Sequence, residues 1–278
     1  MQGLDPTGFL RIGAFELEYR MIGPAPVEAP TIVMLHEGLG SAALWGDFPN
    51  RLQAATGAGV LTYSRAGYGA STPAKLPRPL DYMRIEALEI LPELLDIAGF
   101  RRGLLCGHSD GASIAAIYAG GTADHRVRGV AMIAPHFVVE DISVASIAGI
   151  KRDYETTALR SKLARWHRDV DNAFYGWNGA WLDPKFRDWD ISEYLAYIRV
   201  PIAIVQGAAD QYGTLRQIEI AREECYCPVD VTVIPGVGHS PHREAPDVTL
   251  DTISDFANRI LQHHEGRSAG SLEPIGQT

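Results

Sequence analysis

A serine, an aspartate and a histidine stand in this chain where serine-based nucleophilic chemistry would need them. Ser109 lies in Gly107-His108-Ser109-Asp110-Gly111. A serine hydroxyl is a weak nucleophile near neutral pH and needs a general base, which in turn needs a carboxylate to orient it. His239, in Pro235-Gly236-Val237-Gly238-His239-Ser240, is the candidate base, and Asp210, in Ala208-Ala209-Asp210-Gln211, the candidate acid. Such a set would take up an acyl group on Ser109 and pass it to water.

Each of these residues needs an element that ends beneath it. The apolar run Gly103-Leu104-Leu105-Cys106 reads as a strand leading into Ser109, and Ala112 to Ala119 as a helix leading out, which together make a nucleophile elbow. Glycines two residues to either side let the backbone pass closely around a strained serine. The helix start would aim the Asp110 N–H at an oxyanion. Residues 200–207 read as a buried strand delivering Asp210, and Val231-Thr232-Val233-Ile234 as another delivering His239. The order serine, aspartate, histidine differs from both the chymotrypsin and the subtilisin arrangements. On these residues the chain resembles the α/β-hydrolase fold superfamily, over roughly residues 9–262. The resemblance implies a serine hydrolase with a Ser-Asp-His triad and a helical cap. Strand and helix patterns alternate from Thr31 to Ile133, and this independently predicts an α/β fold with a mostly parallel sheet covered on both faces.

The strand Thr31-Ile32-Val33-Met34-Leu35 runs into His36-Glu37-Gly38-Leu39-Gly40-Ser41, which resembles the family's oxyanion loop. The resemblance makes the backbone N–H of Gly38, or failing that of Leu39, the second oxyanion donor beside Asp110. Glu37 departs from the family's usual glycine. A carboxylate aimed at an oxyanion would oppose catalysis, so Glu37 is expected to point away or to pair with a cation. A catalytic or substrate-selecting role for Glu37 is the alternative. Arg65-Ala66-Gly67-Tyr68-Gly69-Ala70-Ser71 resembles the turn after the fourth strand, with Arg65 bracing adjacent loops.

Composition bounds the partners. A net charge of -9 argues against nucleic acid, whose binders present basic patches. Met1 to Pro6 carry no basic region, and no apolar run there has the length of a signal peptide or membrane span, so a cytoplasmic chain without membrane contact is expected. Three cysteines make no disulfide framework in 278 residues. Cys106 reads as a buried hydrophobe, and Cys225 and Cys227 as ordinary thiols at a helix end. No metal spacing emerges, His242 reads as a loop residue near the site, and the chemistry needs no cofactor. A homo-oligomer is left open.

From His136 to about Tyr197 the alternation stops, apart from a helical pattern over Asp153 to Val170. The resemblance makes this stretch a cap insertion of 136–197 within a core of residues 1–135 and 198–264, and a flexible tail of 265–278 is expected to follow. The insertion holds four of the five tryptophans. Most of its aromatics should hold the cap together. Trp177 and Trp181, with Glu37, His108 and Tyr212, are the candidate pocket residues. An aromatic, largely apolar roof favours small uncharged carboxylic esters or lactones as substrates. A carbon-carbon hydrolase of ring-fission dienoates is one alternative reading. A ligand-binding receptor on the same scaffold is another.

Overall fold

Continuous apolar runs such as Thr31–Leu35 and Gly103–His108 are satisfied only where both faces of a sheet are covered. The computed structural model of the chain, which describes residues 4–262, buries every residue of both runs. The tail expected from residue 265 onward lies outside the described residues. Eight strands form one sheet: β1 (Thr7–Ile12), β2 (Phe15–Ile22), β3 (Thr31–Leu35), β4 (Gly59–Tyr63), β5 (Gly103–His108), β6 (Val127–Ile133), β7 (Ile202–Gly207) and β8 (Val229–Ile234). Their order is β1-β2-β4-β3-β5-β6-β7-β8. The β1–β2 and β2–β4 pairs are antiparallel, and every pair from β4 to β8 is parallel.

Two apolar clusters flank the sheet. Helices α1 (Phe48–Thr56) and, at the chain's far end, Pro246–Gln262 cover one face, where Leu52, Ile253 and Phe256 meet Ile32, Leu104 and Val205. The other face carries α2 (Tyr82–Ile85), a π turn over Glu86–Ile90, α3 (Leu91–Ile97) and α4 (Asp110–Gly121). The helical stretch from Tyr82 to Ile97 has one widened turn just before Pro92, a residue that has no N–H for the regular ladder.

Between β6 and β7 come α5 (Asp141–Thr156), α6 (Leu159–Leu163), α7 (Val170–Trp181), a 3-10 turn and α8 (Ser192–Leu195). The single helix expected over Asp153 to Val170 is thus replaced by the end of α5, all of α6 and the start of α7. The reason is local. The Thr156 and Thr157 hydroxyls donate to the carbonyls of Arg152 and Asp153, and Thr157 takes extended backbone that ends α5. Asp169 then accepts the Asn172 N–H at 2.9 Å and caps a new helix. After β7 follow α9 (Arg216–Glu224), α10 (Pro241–Glu244) and α11, the Pro246–Gln262 helix. No helix among the described residues is long and apolar enough to cross a membrane.

Parallel register brings the carboxyl ends of β3 to β8 to one edge. Leu35 pairs with Gly107, His108 with Ile133, and Gly207 with Ile234. Loops holding Glu37, Arg65, Ser109, His136, Asp210 and His239 all leave from that edge.

Candidate active site

Ser109 sits between β5 and α4 with φ 53° and ψ −120°, a conformation that side chains disfavour. Hydrogen bonds hold it there: its N–H donates to the Ile133 carbonyl at 2.9 Å, and its own carbonyl accepts from the N–H groups of Ala112 and Ser113. The flanking glycines are sterically required. A Cβ on Gly107 would lie 2.2 Å from the Gly111 carbonyl oxygen, and one on Gly111 would lie 2.1 Å from that of Leu35.

The other two residues of the set close on Ser109. His239 Nε2 is 2.9 Å from Ser109 Oγ, and His239 Nδ1 is 2.9 and 2.8 Å from the two carboxylate oxygens of Asp210. A proton on Nδ1 leaves Nε2 as the acceptor for the serine hydroxyl. Asp210 also accepts from Gln206 Nε2 at 2.8 Å and from the N–H groups of Tyr212 and Gly213 at 2.7 and 3.3 Å. Burial would raise its pKa, but the bonds and charge of His239 and the Tyr212 N–H outweigh burial and hold it below the ordinary carboxylate value. The arrangement can draw a proton from Ser109 while the developing imidazolium is balanced by a fixed carboxylate.

Arg65 secures the loop after β3, donating to the carbonyls of His36 and Glu37. Two glycines fit the loop to its surroundings. A Cβ on Gly38 would stand 2.1 Å from Trp177 Nε1, and one on Gly40 would stand 2.4 Å from Glu37 Oε2. Glu37 pairs with a cation: Arg243 on α10 donates to its Oε1 at 3.1 Å. Its Oε2 lies 3.5 Å from Nδ1 of His108, whose Nε2 donates to the His239 carbonyl at 2.8 Å. Burial alone would raise the Glu37 pKa, but His108, Arg243 and His242 hold it well below the ordinary range. His242 is not the loop residue expected from sequence. It belongs to α10, is buried, and packs its ring 4.7 Å from that of His108.

A cavity of about 230 Å³ opens over Ser109. It brings together Glu37, Gly38, Leu39, His108, Asp110, Trp177, Trp181, Tyr212 and His239, all of them singled out from sequence. His136, Ile147, Gln211 and Ser240 also line it and were not anticipated. Gln211 and Ser240 each follow a candidate residue directly, a signal that could have found them. From the insert, Trp181 Nε1 donates to Asp110 Oδ1 at 3.2 Å, while the Tyr82 hydroxyl donates to Oδ2 at 2.5 Å. Burial raises the Asp110 pKa, with Arg65, Tyr82 and Trp181 opposing. His167 is a further unanticipated anchor: its Nε2 donates to the Leu39 carbonyl at 3.0 Å and its Nδ1 accepts the Gly69 N–H at 3.0 Å. Other aromatics of the insert serve packing, as where Phe174 stacks on Tyr154 with ring centres 3.6 Å apart.

A larger groove of about 540 Å³ lies by Thr122, Arg128 and Arg199, at the opposite end of β6, and Ser109, Asp210 and His239 take no part in it. Among the described residues no group of three or more His, Cys, Asp or Glu side chains is placed to hold a metal ion.

Comparison with known proteins agrees with this architecture. The chain matches the alpha/beta hydrolase family over residues 32–252. No curated protein sequence matches it. Among solved structures it is similar to a carboxylesterase from Nitrososphaera gargenis, with 16% identity, 92% of this chain and 100% of that one covered, and a TM-score of 0.75. It is also similar to the enol-lactonase from Burkholderia xenovorans (18% identity, 90% and 99% covered, TM-score 0.70). A third likeness is to the proline iminopeptidase from Mycobacterium smegmatis (17% identity, 93% and 99% covered, TM-score 0.71). Sequence match and shared architecture together make the chain a member of the alpha/beta hydrolase family.

Proposed function

We propose that the protein is a serine hydrolase that cleaves small, largely apolar carboxylic esters or lactones through an acyl-enzyme. The observation that carries this reading is the hydrogen-bonded chain from Asp210 through His239 to Ser109 Oγ, opening directly into a cavity. In the proposed cycle Ser109 Oγ bonds to the ester carbonyl carbon while its proton passes to His239 Nε2. The backbone N–H groups of Asp110 and Gly38 stabilise the tetrahedral oxyanion, with Leu39 the alternative to Gly38. His239 then returns the proton to the leaving alkoxide, and water, activated by the same imidazole, releases the acid. Asp210 stays ionised throughout and orients the ring.

The walls of the cavity support this substrate class. Ile147, Trp177, Trp181 and Tyr212 give apolar contact, and about 230 Å³ suits a small acyl and alkyl group. The insert of residues 136–197 acts in this reading as a cap. Neither lysine nor arginine lines the cavity among the described residues, which disfavours a ring-fission dienoate with its free carboxylate. Ester and lactone cleavage by the carboxylesterase and enol-lactonase of like architecture is consistent with the reading.

The test is steady-state hydrolysis of p-nitrophenyl and aliphatic esters by wild type and Ser109→Ala. Turnover should fall by roughly four to six orders of magnitude in the variant, the scale of triad losses. Ester turnover that survives Ser109→Ala would reject the assignment.

A further inference from the structure

Of the buried imidazoles that line the cavity, His239 serves the proposed cycle and His108 holds the His239 carbonyl, which leaves His136 without a task. Two non-glycine residues among the described ones have positive φ: Ser109 at 53° and Ala134 at 46°. They end neighbouring strands, β5 and β6. Ala134 has no local chemistry to account for its strain, which costs about 1 kcal/mol or more, and strain of this kind collects at functional positions. Two residues on stands His136, as firmly set as Ser109. The Ala134 N–H donates to the Val205 carbonyl at 2.9 Å, the His136 carbonyl accepts from Ser113 Oγ at 2.6 Å, and the Phe137 N–H donates to Gln217 Oε1 at 2.7 Å.

His136 is only 3% exposed, its ring centre 5.5 Å from that of His239 and 5.3 Å from that of Trp181. Gly213 faces it, and a Cβ there would approach Cε1 to 3.3 Å. His136 lines the cavity, yet its buried Nδ1 meets no partner among the described residues, and no hydrogen bond is made by its Nε2. An unpaired buried polar group costs on the order of 1–3 kcal/mol, so a substrate atom that pairs with it is favoured by a similar amount.

We propose that His136 is a specificity-determining residue that hydrogen-bonds an uncharged oxygen, a hydroxyl or a carbonyl, carried by the substrate beside the scissile bond. The inference rests on the hydrolase reading and deepens it: the preferred substrates are oxygen-substituted small esters or lactones rather than plain alkyl ones. Burial, followed by the charge of His239, lowers the His136 pKa to about 3, so the ring offers one donor and one acceptor and no charge.

Size-matched pairs test this. On the acyl side the pair is methyl 3-hydroxybutanoate and methyl 3-methylbutanoate; on the alcohol side it is 2-hydroxyethyl and propyl butanoate. In at least one pair the wild type should prefer the hydroxylated member by about tenfold or more in kcat/KM, the worth of one well-made hydrogen bond. His136→Leu should bring that ratio to near one, and His136→Asn, which keeps a donor and an acceptor, should retain part of it. A wild-type ratio near one in both pairs overturns the proposal, as does a preference that survives His136→Leu. Binding of the same pairs to Ser109→Ala, read by calorimetry, separates the two readings. A hydroxyl preference in binding that His136→Leu removes, without turnover by wild type, rejects the hydrolase reading and keeps His136. If the wild type turns over neither pair, equal binding of both members rejects His136.

Discussion

Arg243 and Glu37 form an ion pair, 3.1 Å between Nη2 and Oε1, that ties the helix after the proposed base to the loop of the proposed oxyanion donor. The same guanidinium donates to the Leu44 carbonyl at 2.9 Å. His108, whose Nδ1 lies 3.5 Å from Glu37 Oε2, donates to the His239 carbonyl. The carboxylate that sequence alone would find out of place is thus neutralised, and it links two loops from strands far apart in the chain. Glu37→Gln keeps the shape and removes the charge. We expect kcat to fall by about tenfold with KM within about twofold, because a lost charge-assisted bond is worth on the order of 1.5–3 kcal/mol and acts on geometry rather than contact with substrate. Unchanged kcat would count against the linkage.

Gly38→Ala should be severe for a reason that can be relieved. The added methyl would stand 2.1 Å from Trp177 Nε1, so either the indole or the loop must move. Displacing the proposed oxyanion donor should lower kcat by roughly two to three orders of magnitude. Pairing the change with Trp177→Leu should restore part of the rate. A double variant no better than Gly38→Ala would show that the clash is not the cause.

Trp181→Phe keeps the apolar ring and deletes the N–H that reaches Asp110. Loss of a buried hydrogen bond to a carboxylate should cost about 1–3 kcal/mol of stability, measured by urea unfolding, together with a lower kcat. A stability change below about 0.5 kcal/mol would mean the 3.2 Å contact carries little.

Stability should fall on acidification in two windows. Burial lowers the pKa values of His36, His136, His167 and His242. Their unfolded forms take up protons below pH ~6.5 that the folded forms refuse, so unfolding binds protons and stability drops as pH falls. For His136 the window runs from 6.5 down to about 3. Each such histidine adds at most about 1.4 kcal/mol per pH unit to the slope. Glu37 and Asp210, with folded pKa values lowered, contribute stability that is complete above their unfolded values and disappears as pH falls through the folded ones. Unfolding free energies from pH 8 to 4 should therefore decrease, and His136→Leu should flatten the curve below 6.5. An unchanged slope in that variant would contradict the lowered His136 value.

The core was legible from sequence because its chemistry is local. Glycines around Ser109 and His239, and apolar runs ending just before each candidate, specify strands and turns within a few residues, and the parallel order follows from alternation. The insert lacked such signals: its helices end where Thr156 and Thr157 turn their hydroxyls onto the backbone, a competition no apolar period reports. Arg243 and Glu37 are 206 residues apart, so their pairing is a product of the sheet and not of any motif. His136 was missed because a lone histidine after a strand looks ordinary until the backbone of Ala134 is seen.

One turn of α7 carries Trp177 against Gly38 and Trp181 onto Asp110, indoles four residues apart resting on the two loops that offer the proposed oxyanion donors. The insert is therefore not an interchangeable part. A segment grafted from a relative would bring its own pocket walls, but without an indole at each of those two positions it would take one support from each loop. Selection for a new substrate acting on this turn would act on rate in the same stroke, so new specificities should arise more readily at Ile147, which lines the cavity from α5.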